Sequence, residues 1–340
     1  MISRRAGRED TVANVTQQVP GRGGNGERDE QIPPRRSRSS RAARHFARDD
    51  GEQGAAPEQA SSLLSGPRGL SLGLLGLYLA VTLIVVATSN ATRLVLVHML
   101  LLGIVAWTIR PRSVVAATVG DFLPLVVAPL LYAEIPSLIA AIGSVYHDAT
   151  IQQIEVAVFG MQASRRFAAA FPNIVVSELL HAGYLSYYAA IFVPPLMLYV
   201  RRERYAYAET VVALTTTYLV CWAIFALVPV EGPRYLWGAS ASAPDGMMRR
   251  LANGVLAAGS SRGAAFPSSH MAVMTAQTIM AFRWQRSVGW VLSVLTLLVG
   301  FGAVYGGFHY ATDMLAGAVL GAGIASGTLF VFSKGRGTRS

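Results

Sequence analysis

Apolar residues fall into long unbroken blocks along most of the chain, instead of the one-sided stripes with a period of 3.6 residues that mark soluble helices. Such blocks predict transmembrane helices, because about 20 apolar residues cross the hydrocarbon core of a bilayer. We predict eight spans, at residues 70–89, 94–109, 114–132, 179–200, 211–228, 268–282, 288–305 and 314–332. The third is the least regular, since Asp121, Pro124 and Pro129 interrupt it. The pattern therefore predicts an all-α, polytopic membrane bundle.

The composition agrees with this pattern, since 52% of the 340 residues are hydrophobic and only 14% are charged. The single cysteine, Cys221, lies inside a predicted span, so we expect neither a disulfide framework nor a cysteine metal cluster. No metal site is implied, and we expect no cofactor. The formal net charge is +10, almost all of it from arginine, because Lys334 is the only lysine. In a predicted membrane protein, attraction to a membrane surface explains this excess better than binding of nucleic acid.

The chain divides into four predicted regions. Residues 1–69 contain 12 arginines and 9 acidic residues among Gly, Ser, Pro and Gln, which predicts a disordered, Arg-rich cytoplasmic tail. Residues 70–112 are expected to form a transmembrane hairpin, 113–333 the catalytic membrane domain and 334–340 a cytoplasmic C-terminal tail. Since the tail contains no apolar signal-peptide core, the first span is expected to direct membrane insertion.

Arginine and lysine near the span ends indicate the orientation of the bundle, because these residues are retained in the cytoplasm. Alternate connections, together with the C-terminal segment, carry ten of them on one side, which is also the side of the Arg-rich tail. Both termini are therefore predicted in the cytoplasm. The outward side receives two long segments, 133–178 and 229–267, which we expect to lie along the interface or to cover a reacting site.

Two histidines reach the outward side. His270 in FPSSH and His309 in HYATD are separated by two apolar runs of about 18 residues, and each run is long enough to cross the bilayer. The chain therefore returns to its starting side, and the two imidazoles can meet. A nucleophile and a proton donor at one membrane face are what phosphoryl transfer through a phosphohistidine requires.

The residues around the two histidines support this chemistry. Asp313 follows His309 by four residues, so a carboxylate on one imidazole nitrogen can leave the other as a nucleophile. The alternative is a hydrogen-bonded pair that only caps the helix. Ser268 or Ser269 begins the sixth span with free backbone amides that suit a phosphate, and His270 beside them can protonate the departing oxygen. Read by itself, this motif also fits an ordinary cap.

An arginine reaches the same side. The fifth span ends in VPVEGPRYLW, and the guanidinium of Arg234 can bind two phosphate oxygens at once. The alternative is an interfacial arginine beside Tyr235 and Trp237, a common arrangement at membrane edges. The serine pair, both histidines, the aspartate and the arginine are all predicted on one side of the membrane from the count of spans alone.

At these motifs the chain resembles the type 2 phosphatidic acid phosphatase superfamily, whose later motifs read approximately Pro-Ser-x-His and His-x3-Asp. The resemblance covers about the last 130 residues. It implies a six-helix phosphatidic-acid-phosphatase-type core, preceded here by two N-terminal transmembrane helices, and a reaction that needs no metal. By the resemblance, His309 is the nucleophile that forms the phosphoenzyme, Asp313 its orienting partner and His270 the general acid. The phosphate-binding groups of the family correspond to Arg234, Ser268 and Ser269.

The chain departs from the family pattern in two places. The first family motif contains a lysine followed by Arg-Pro, and this chain has no lysine before Lys334. The Ser-Arg pair shortly before the nucleophilic histidine is Gly302-Ala303 here. Because both changes remove phosphate ligands, Arg234, and Arg262 with it, is expected to carry more of the binding, and simple phosphomonoesterase activity is less expected.

The succession GPR, FPSSH and HYATD is most similar to the branch of inositol phosphorylceramide synthases and, more distantly, sphingomyelin synthases, which transfer a phosphorylated headgroup between lipids. The stretches YHDATIQQIEVAVFG and SELLHAGYLSYY resemble the same branch. They add candidate residues that contact the substrate or support the catalytic groups, namely His147, Asp148, Glu178, His181 and Tyr184. For Glu178 and His181, headgroup contact and purely structural hydrogen bonding both fit the sequence.

The function predicted from these residues is that of a membrane lipid phosphotransferase that moves a phosphoinositol-like headgroup at the outer face of the membrane. Its expected partners are a lipid phosphate or phospholipid substrate and membrane lipids, but no nucleic acid. The alternatives are a lipid phosphate phosphatase, acting on a phosphatidate-like or polyprenyl-phosphate-like substrate, and a transporter that binds an anionic lipid without cleaving it. Arginine-rich, lysine-poor composition is typical of GC-rich bacterial genomes and favours a bacterial inner membrane.

Overall fold

The computed structural model describes residues 66–89 and 91–337, with side chains up to residue 333. The predicted Arg-rich tail, residues 1–69, lies outside the described residues except for its last four, and so do residues 338–340 of the predicted C-terminal tail. In the described part, all regular secondary structure is helical, and one isolated β-bridge joins Val230 to Ala264.

The helices differ widely in length. In chain order they are α1 (Pro67–Ala87), α2 (Thr92–Ile109), α3 (Val114–Leu130), a 3-10 turn (Leu131–Glu134), α4 (Ile135–Ile142), α5 (Asp148–Phe159), α6 (Ala163–Ala170), α7 (Ile174–Leu185), α8 (Tyr187–Ala190), α9 (Val193–Val200), α10 (Arg204–Leu227), α11 (Pro233–Trp237), α12 (Met247–Gly259), α13 (Ser269–Trp284), α14 (Arg286–Tyr305) and α15 (Ala311–Gly337).

Seven helical segments in the described part of the chain are long and apolar enough to cross a membrane. These segments are Pro67–Ala87, Thr92–Ile109, Val114–Ile142, Ile174–Val200, Arg204–Leu227, Arg286–Tyr305 and Ala311–Ser333. The predicted span 268–282 corresponds to α13, which has 16 residues and a rise of only ~24 Å. The predicted class, an all-α polytopic membrane bundle, is confirmed.

The third segment is longer than predicted. It runs from Val114 to Ile142 through α3, the 3-10 turn and α4, although Pro124 and Pro129 lie inside α3. Its charged residue is satisfied within the bundle, since the Nε atom of Arg68 on α1 lies 2.7 Å from a carboxylate oxygen of Asp121. This ion pair joins the N-terminal hairpin to the rest of the bundle.

α10 forms the centre of the bundle and packs against α1, α3, α4, α9, α13 and α15. Its large side chains Tyr218, Trp222 and Phe225 are at most 2% exposed. The indole N–H of Trp222 donates to the carbonyl oxygen of Ala128 at 2.7 Å, which ties α10 to α3. Because α10 is buried on most sides, its sequence shows no amphipathic stripe.

The closest helix packing lies between α13 and α15. A Cβ atom at Gly317 would collide with the carbonyl oxygen of Ser268, and one at Gly321 would collide with that of Ala272. Two glycines four residues apart form the small-xxx-small pattern that lets the backbones of membrane helices approach closely. Since α14 connects α13 to α15 as an antiparallel neighbour, α13 and α15 begin at the same end of the bundle.

This packing generates a stability prediction. Gly321→Ala places a methyl group against the backbone of α13 and should destabilise the protein by about 1–3 kcal/mol. Gly323→Ala is the matched control, because no atom lies within 4 Å of a Cβ at this neighbouring position. Thermal unfolding in detergent should show a lower midpoint for Gly321→Ala only. Equal midpoints for the two variants would contradict the assigned packing.

Candidate active site

The imidazoles of His270 and His309 meet at one end of the bundle. Their ring centroids are 5.9 Å apart, with the planes inclined at 66°. His270 is the second residue of α13, and His309 lies two residues before α15, so the close packing of these helices brings the two rings together. Two residues that are far apart in the sequence are therefore neighbours in the structure, as the count of spans predicted.

The hydrogen bonds of His309 fix its tautomer. Its Nδ1 atom lies 3.0 Å from the carbonyl oxygen of Ala265 and 3.3 Å from Oδ2 of Asp313. Both are acceptors, so Nδ1 carries the proton and the lone pair resides on Nε2. The same Asp313 oxygen accepts the backbone N–H of Tyr310 at 2.8 Å, which holds the carboxylate in place. Asp313 is completely buried and contacts His309 directly, an arrangement compatible with the predicted orienting role.

His270 is held by an aromatic partner. Its ring stacks on that of Tyr184 with the centroids 5.1 Å apart, and its Nε2 atom lies 3.2 Å from the Tyr184 hydroxyl. Nδ1 of His270 is buried and has no hydrogen-bond partner among the described residues. One ring nitrogen therefore remains available for a substrate atom, while Tyr184, a candidate support residue from the sequence, fixes the other.

Arg234 contributes a cation to this site. It lies in α11 and lines a cavity of about 30 Å³, here called the histidine cavity, together with His270 and His309. Within the described part of the chain, no hydrogen bond or ion pair engages its guanidinium. Arg262 differs, because its Nε donates to a carboxylate oxygen of Glu231 at 2.8 Å and its side chain is 59% exposed. Arg234 is thus the arginine available to an anion.

The two serines of FPSSH occupy different places. Ser268 is the N-cap of α13, since its hydroxyl accepts the backbone N–H of Met271 at 3.3 Å. Its own N–H donates to the carbonyl oxygen of Asp313 at 3.0 Å, which links α13 to α15. Ser269 is buried and lines a neighbouring cavity instead of the histidine cavity. The capping alternative therefore describes Ser268, and Ser269 does not face Arg234.

Comparison with known proteins identifies the family. The PAP2 superfamily matches residues 149–326, just over half of the chain. The chain belongs to the PAP2 superfamily. The matched range contains Arg234, both histidines and Asp313, and it begins after the N-terminal helices α1 to α4.

One curated relative matches part of the chain. The bacitracin transport permease protein BcrC of Bacillus licheniformis is 37% identical over 67 residues, which cover 20% of this chain and 32% of that protein. The chain thus spans about a third of the length of the curated relative that it matches. No solved structure shows a significant match. As a PAP2 superfamily member with seven apolar helical segments in its described part, the protein is an integral membrane protein.

In this PAP2 protein, Asp148 holds the turn that carries Arg234. Its carboxylate accepts the backbone N–H groups of Glu231 at 2.8 Å and Gly232 at 2.9 Å, and the hydroxyl of Tyr310 at 3.2 Å. It therefore positions Arg234 and the segment after His309 at once. Its neighbour His147 contributes a backbone N–H to the carbonyl oxygen of Pro229.

Glu155 is a buried acid that the sequence analysis missed. Its Oε2 accepts the N–H of Ala311 at 3.0 Å and so caps α15, the helix that follows His309. Its Oε1 accepts the N–H of Ser164 near the beginning of α6 at 3.4 Å. Burial raises the pKa of the Glu155 carboxyl, and the backbone N–H groups oppose that shift. Nothing in the local sequence distinguishes Glu155 from an exposed interfacial acid, because its partners lie on other helices.

Glu178 and His181 make structural hydrogen bonds. The Glu178 carboxylate accepts the backbone N–H of Met248 at 3.0 Å, which caps α12. His181 donates from Nδ1 to the carbonyl oxygen of Ser177 at 2.7 Å, and its ring packs against Phe308 next to His309. Of the two alternatives left open by the sequence, these contacts favour structural hydrogen bonding.

Helix packing explains one departure from the family motif. A Cβ atom at Gly302 would collide with the carbonyl oxygen of Leu180, because α14 packs tightly against α7. Ala303 is completely buried, and its carbonyl oxygen accepts the N–H of Phe308 at 2.9 Å. A Ser-Arg pair at these two positions would not fit this packing.

Among the described residues, no group of three or more His, Cys, Asp or Glu side chains is placed to hold a metal ion.

The positioning role of Asp148 predicts an effect on the free energy of unfolding. Asp148→Ala leaves the buried N–H of Gly232 without its acceptor, and an unsatisfied buried group costs about 1–3 kcal/mol. Asp245→Ala is the control, because Asp245 is 62% exposed and its shorter ion pair, at 3.2 Å, is with the exposed Arg250. Thermal unfolding should show a clear loss of unfolding free energy for Asp148→Ala. For Asp245→Ala the unfolding free energy should change by no more than about 0.5 kcal/mol. A similar small change in both would contradict the positioning role.

Proposed function

We propose that this protein is a membrane lipid phosphotransferase that carries a phosphoryl group as a phosphohistidine on His309. The observation that supports this most is the free Nε2 of His309. Its Nδ1 is committed to Ala265 and Asp313, its ring lies beside that of His270, and it lines the same cavity as Arg234, whose guanidinium has no ion pair among the described residues. A nucleophile, a proton carrier and an anion ligand share one small cavity.

The first step phosphorylates the enzyme. Arg234 binds the phosphate of a lipid ester, and Nε2 of His309 attacks phosphorus in line with the ester oxygen. The new P–N bond forms as the P–O bond to the lipid breaks, and His270 donates its proton to the departing oxygen. Arg234 stabilises the negative charge on the phosphoryl oxygens, and Asp313 stabilises the cationic ring of His309.

The second step transfers the group to an acceptor. An incoming hydroxyl gives its proton to His270 and forms a new P–O bond as the P–N bond breaks, which restores His309. A lipid hydroxyl as acceptor makes the enzyme a phosphotransferase, and water makes it a phosphatase. The resemblance of GPR, FPSSH and HYATD to inositol phosphorylceramide synthases supports a phosphoinositol-like headgroup and a lipid acceptor. We place the reaction at the outer face of a bacterial inner membrane, from the distribution of arginine.

Two other functions have support. Family membership is compatible with hydrolysis, since the same phosphohistidine can react with water. The name of the relative, a transport permease, is compatible with a carrier that binds an anionic lipid without cleaving it. A covalent intermediate separates the enzymes from the carrier, and the identity of the acceptor separates the two enzymes from each other.

Trapping of the phosphoenzyme tests the proposal. Purified protein incubated with phosphatidylinositol labelled at phosphorus should acquire acid-labile label on His309, and a lipid alcohol such as ceramide should receive labelled phosphoinositol in preference to water. His309→Ala should abolish labelling. Asp313→Asn should lower turnover by at least about 100-fold, because misplacing a reacting ring costs on that order. Undiminished turnover in His309→Ala would falsify the mechanism, and labelled product released only to water would favour the phosphatase.

A further prediction concerns the effect of Arg234 on turnover. Arg234→Lys keeps the charge but loses the planar pair of donors, and turnover should fall about 10–100-fold, because hydrogen bonds to charged groups contribute about 1.5–3 kcal/mol. Arg283→Lys is the matched control, since Arg283 lies over the Trp284 ring at the far end of α13. Steady-state assays should show near-normal turnover for this control. Small and equal effects in both variants would remove Arg234 from the site.

A further inference from the structure

A second, larger cavity adjoins His270. We call it the aromatic chamber, because its volume of about 320 Å³ is bounded mainly by aromatic side chains. They belong to the 3-10 turn after α3, the region of α8 and α9, and α10, and they are Tyr132, Tyr187, Tyr188, Phe192, Tyr218 and Trp222. Of the catalytic groups named above, only His270 belongs to its lining.

His270 forms the wall between the aromatic chamber and the histidine cavity, since its side chain lines both. Tyr132 and Leu256 also line both cavities. His309 and Arg234 line the histidine cavity but not the chamber. A phosphate bound by Arg234 therefore has His309 as one neighbour and His270, with the chamber beyond it, as another.

The geometry of displacement at phosphorus indicates which part of the substrate extends into the chamber. The attacking and departing atoms lie approximately in line on opposite sides of phosphorus, so the ester oxygen departs away from Nε2 of His309. A general acid must lie within hydrogen-bond distance of that oxygen. With His270 as the acid, the carbon chain attached to the oxygen continues past His270 into the chamber.

The lining of the chamber suits hydrocarbon better than a polar headgroup. The hydroxyl groups of Tyr187 and Tyr218 bond each other at 2.8 Å, and the N–H of Trp222 is already used by Ala128. These side chains therefore offer ring faces to a ligand, and such faces bind apolar chains. No acidic or basic side chain other than His270 lines the chamber within the described part of the chain.

The chamber also opens toward the bilayer. Leu130, Tyr188 and Phe192 line it and are exposed at the surface of the bundle. They lie where the segments Val114–Ile142 and Ile174–Val200 depart from regular α-helix. Irregular backbone at membrane depth is accommodated where it lines a cavity, so this opening is a suitable route for a lipid chain.

A rival apolar site lies elsewhere on the bundle. This lateral groove of about 410 Å³ is lined by Phe159, Phe167 and Phe301 among other apolar residues of α5, α6, α14 and α15. Met271 and Ala311 belong to its lining, but neither His270 nor His309 does. A chain in the groove would therefore not touch the proton donor of the departing oxygen.

We infer that the aromatic chamber binds the hydrocarbon of the lipid alcohol that leaves phosphorus when His309 is phosphorylated. The inference rests on the proposed function. The P–O bond to the lipid alcohol breaks, the P–N bond forms, and the alcohol leaves with the proton from His270. An accepting lipid alcohol then occupies the same chamber and returns a proton to His270. Donor and acceptor use the chamber in turn, which requires ping-pong kinetics.

Photocrosslinking tests the location. The probe is phosphatidylinositol with a diazirine in the middle of one acyl chain, incorporated into membranes that contain the full-length protein. Peptide mapping should find crosslinks on Tyr188, Ile191 or Phe192, and excess unlabelled diacylglycerol should reduce them. Crosslinks on Phe167 or Phe301 of the lateral groove, with none in the chamber, would overturn the inference.

A variant tests the same point through substrate preference. Val255 lines the chamber, and Val255→Trp should raise the ratio of KM for dioleoyl to KM for dihexanoyl phosphatidylinositol by at least about tenfold. Ala258→Trp is the control, because Ala258 is exposed on α12 and does not line the chamber. An unchanged ratio in Val255→Trp, with normal labelling of His309, overturns the chamber alone. Absence of label on His309 in the unmodified protein contradicts the proposed function instead.

Discussion

The site depends on the close approach of α13 and α15. Only glycine at positions 317 and 321 lets the backbone of α15 reach the carbonyl oxygens of Ser268 and Ala272. Because each helix carries one histidine near its N-terminal end, this contact also sets the distance between the two imidazoles. The N–H of Ser268 reinforces it through the carbonyl oxygen of Asp313. Backbone packing between these two helices therefore sets the geometry of the candidate site.

Charged residues at this end of the bundle divide into two groups. The acids Asp148, Glu155 and Glu178 are engaged with backbone N–H groups, and they hold a turn or a helix beginning in place. Arg234 has no such partner among the described residues and faces the two histidines. A site that binds phosphate gains from this division, because acids whose lone pairs are used locally compete less for the cation.

The two cavities at His270 differ in size and in chemistry. The histidine cavity has the more polar lining and holds about one water molecule, whereas the aromatic chamber is larger and mostly apolar. An ester of a lipid has the same two parts, a compact anion and a long hydrocarbon. Tyr184 and the fully buried Asp313 keep the two rings oriented at the junction. In the proposed reaction, separate compartments for the two parts would let His270 serve as the proton carrier in both half-reactions.

The sequence by itself determined the class of fold, the helical hairpins and the pairing of His309 with Asp313, because block length and four-residue spacing are local properties of a helix. It did not determine the length of α13, the role of Glu155 or the use of Ser268 as a cap. Each of these depends on contacts between helices that are far apart in the chain, such as Glu155 with Ala311. Only the tertiary structure decided which polar groups are satisfied by backbone and which remain free, because that balance is set by packing and not by residue type.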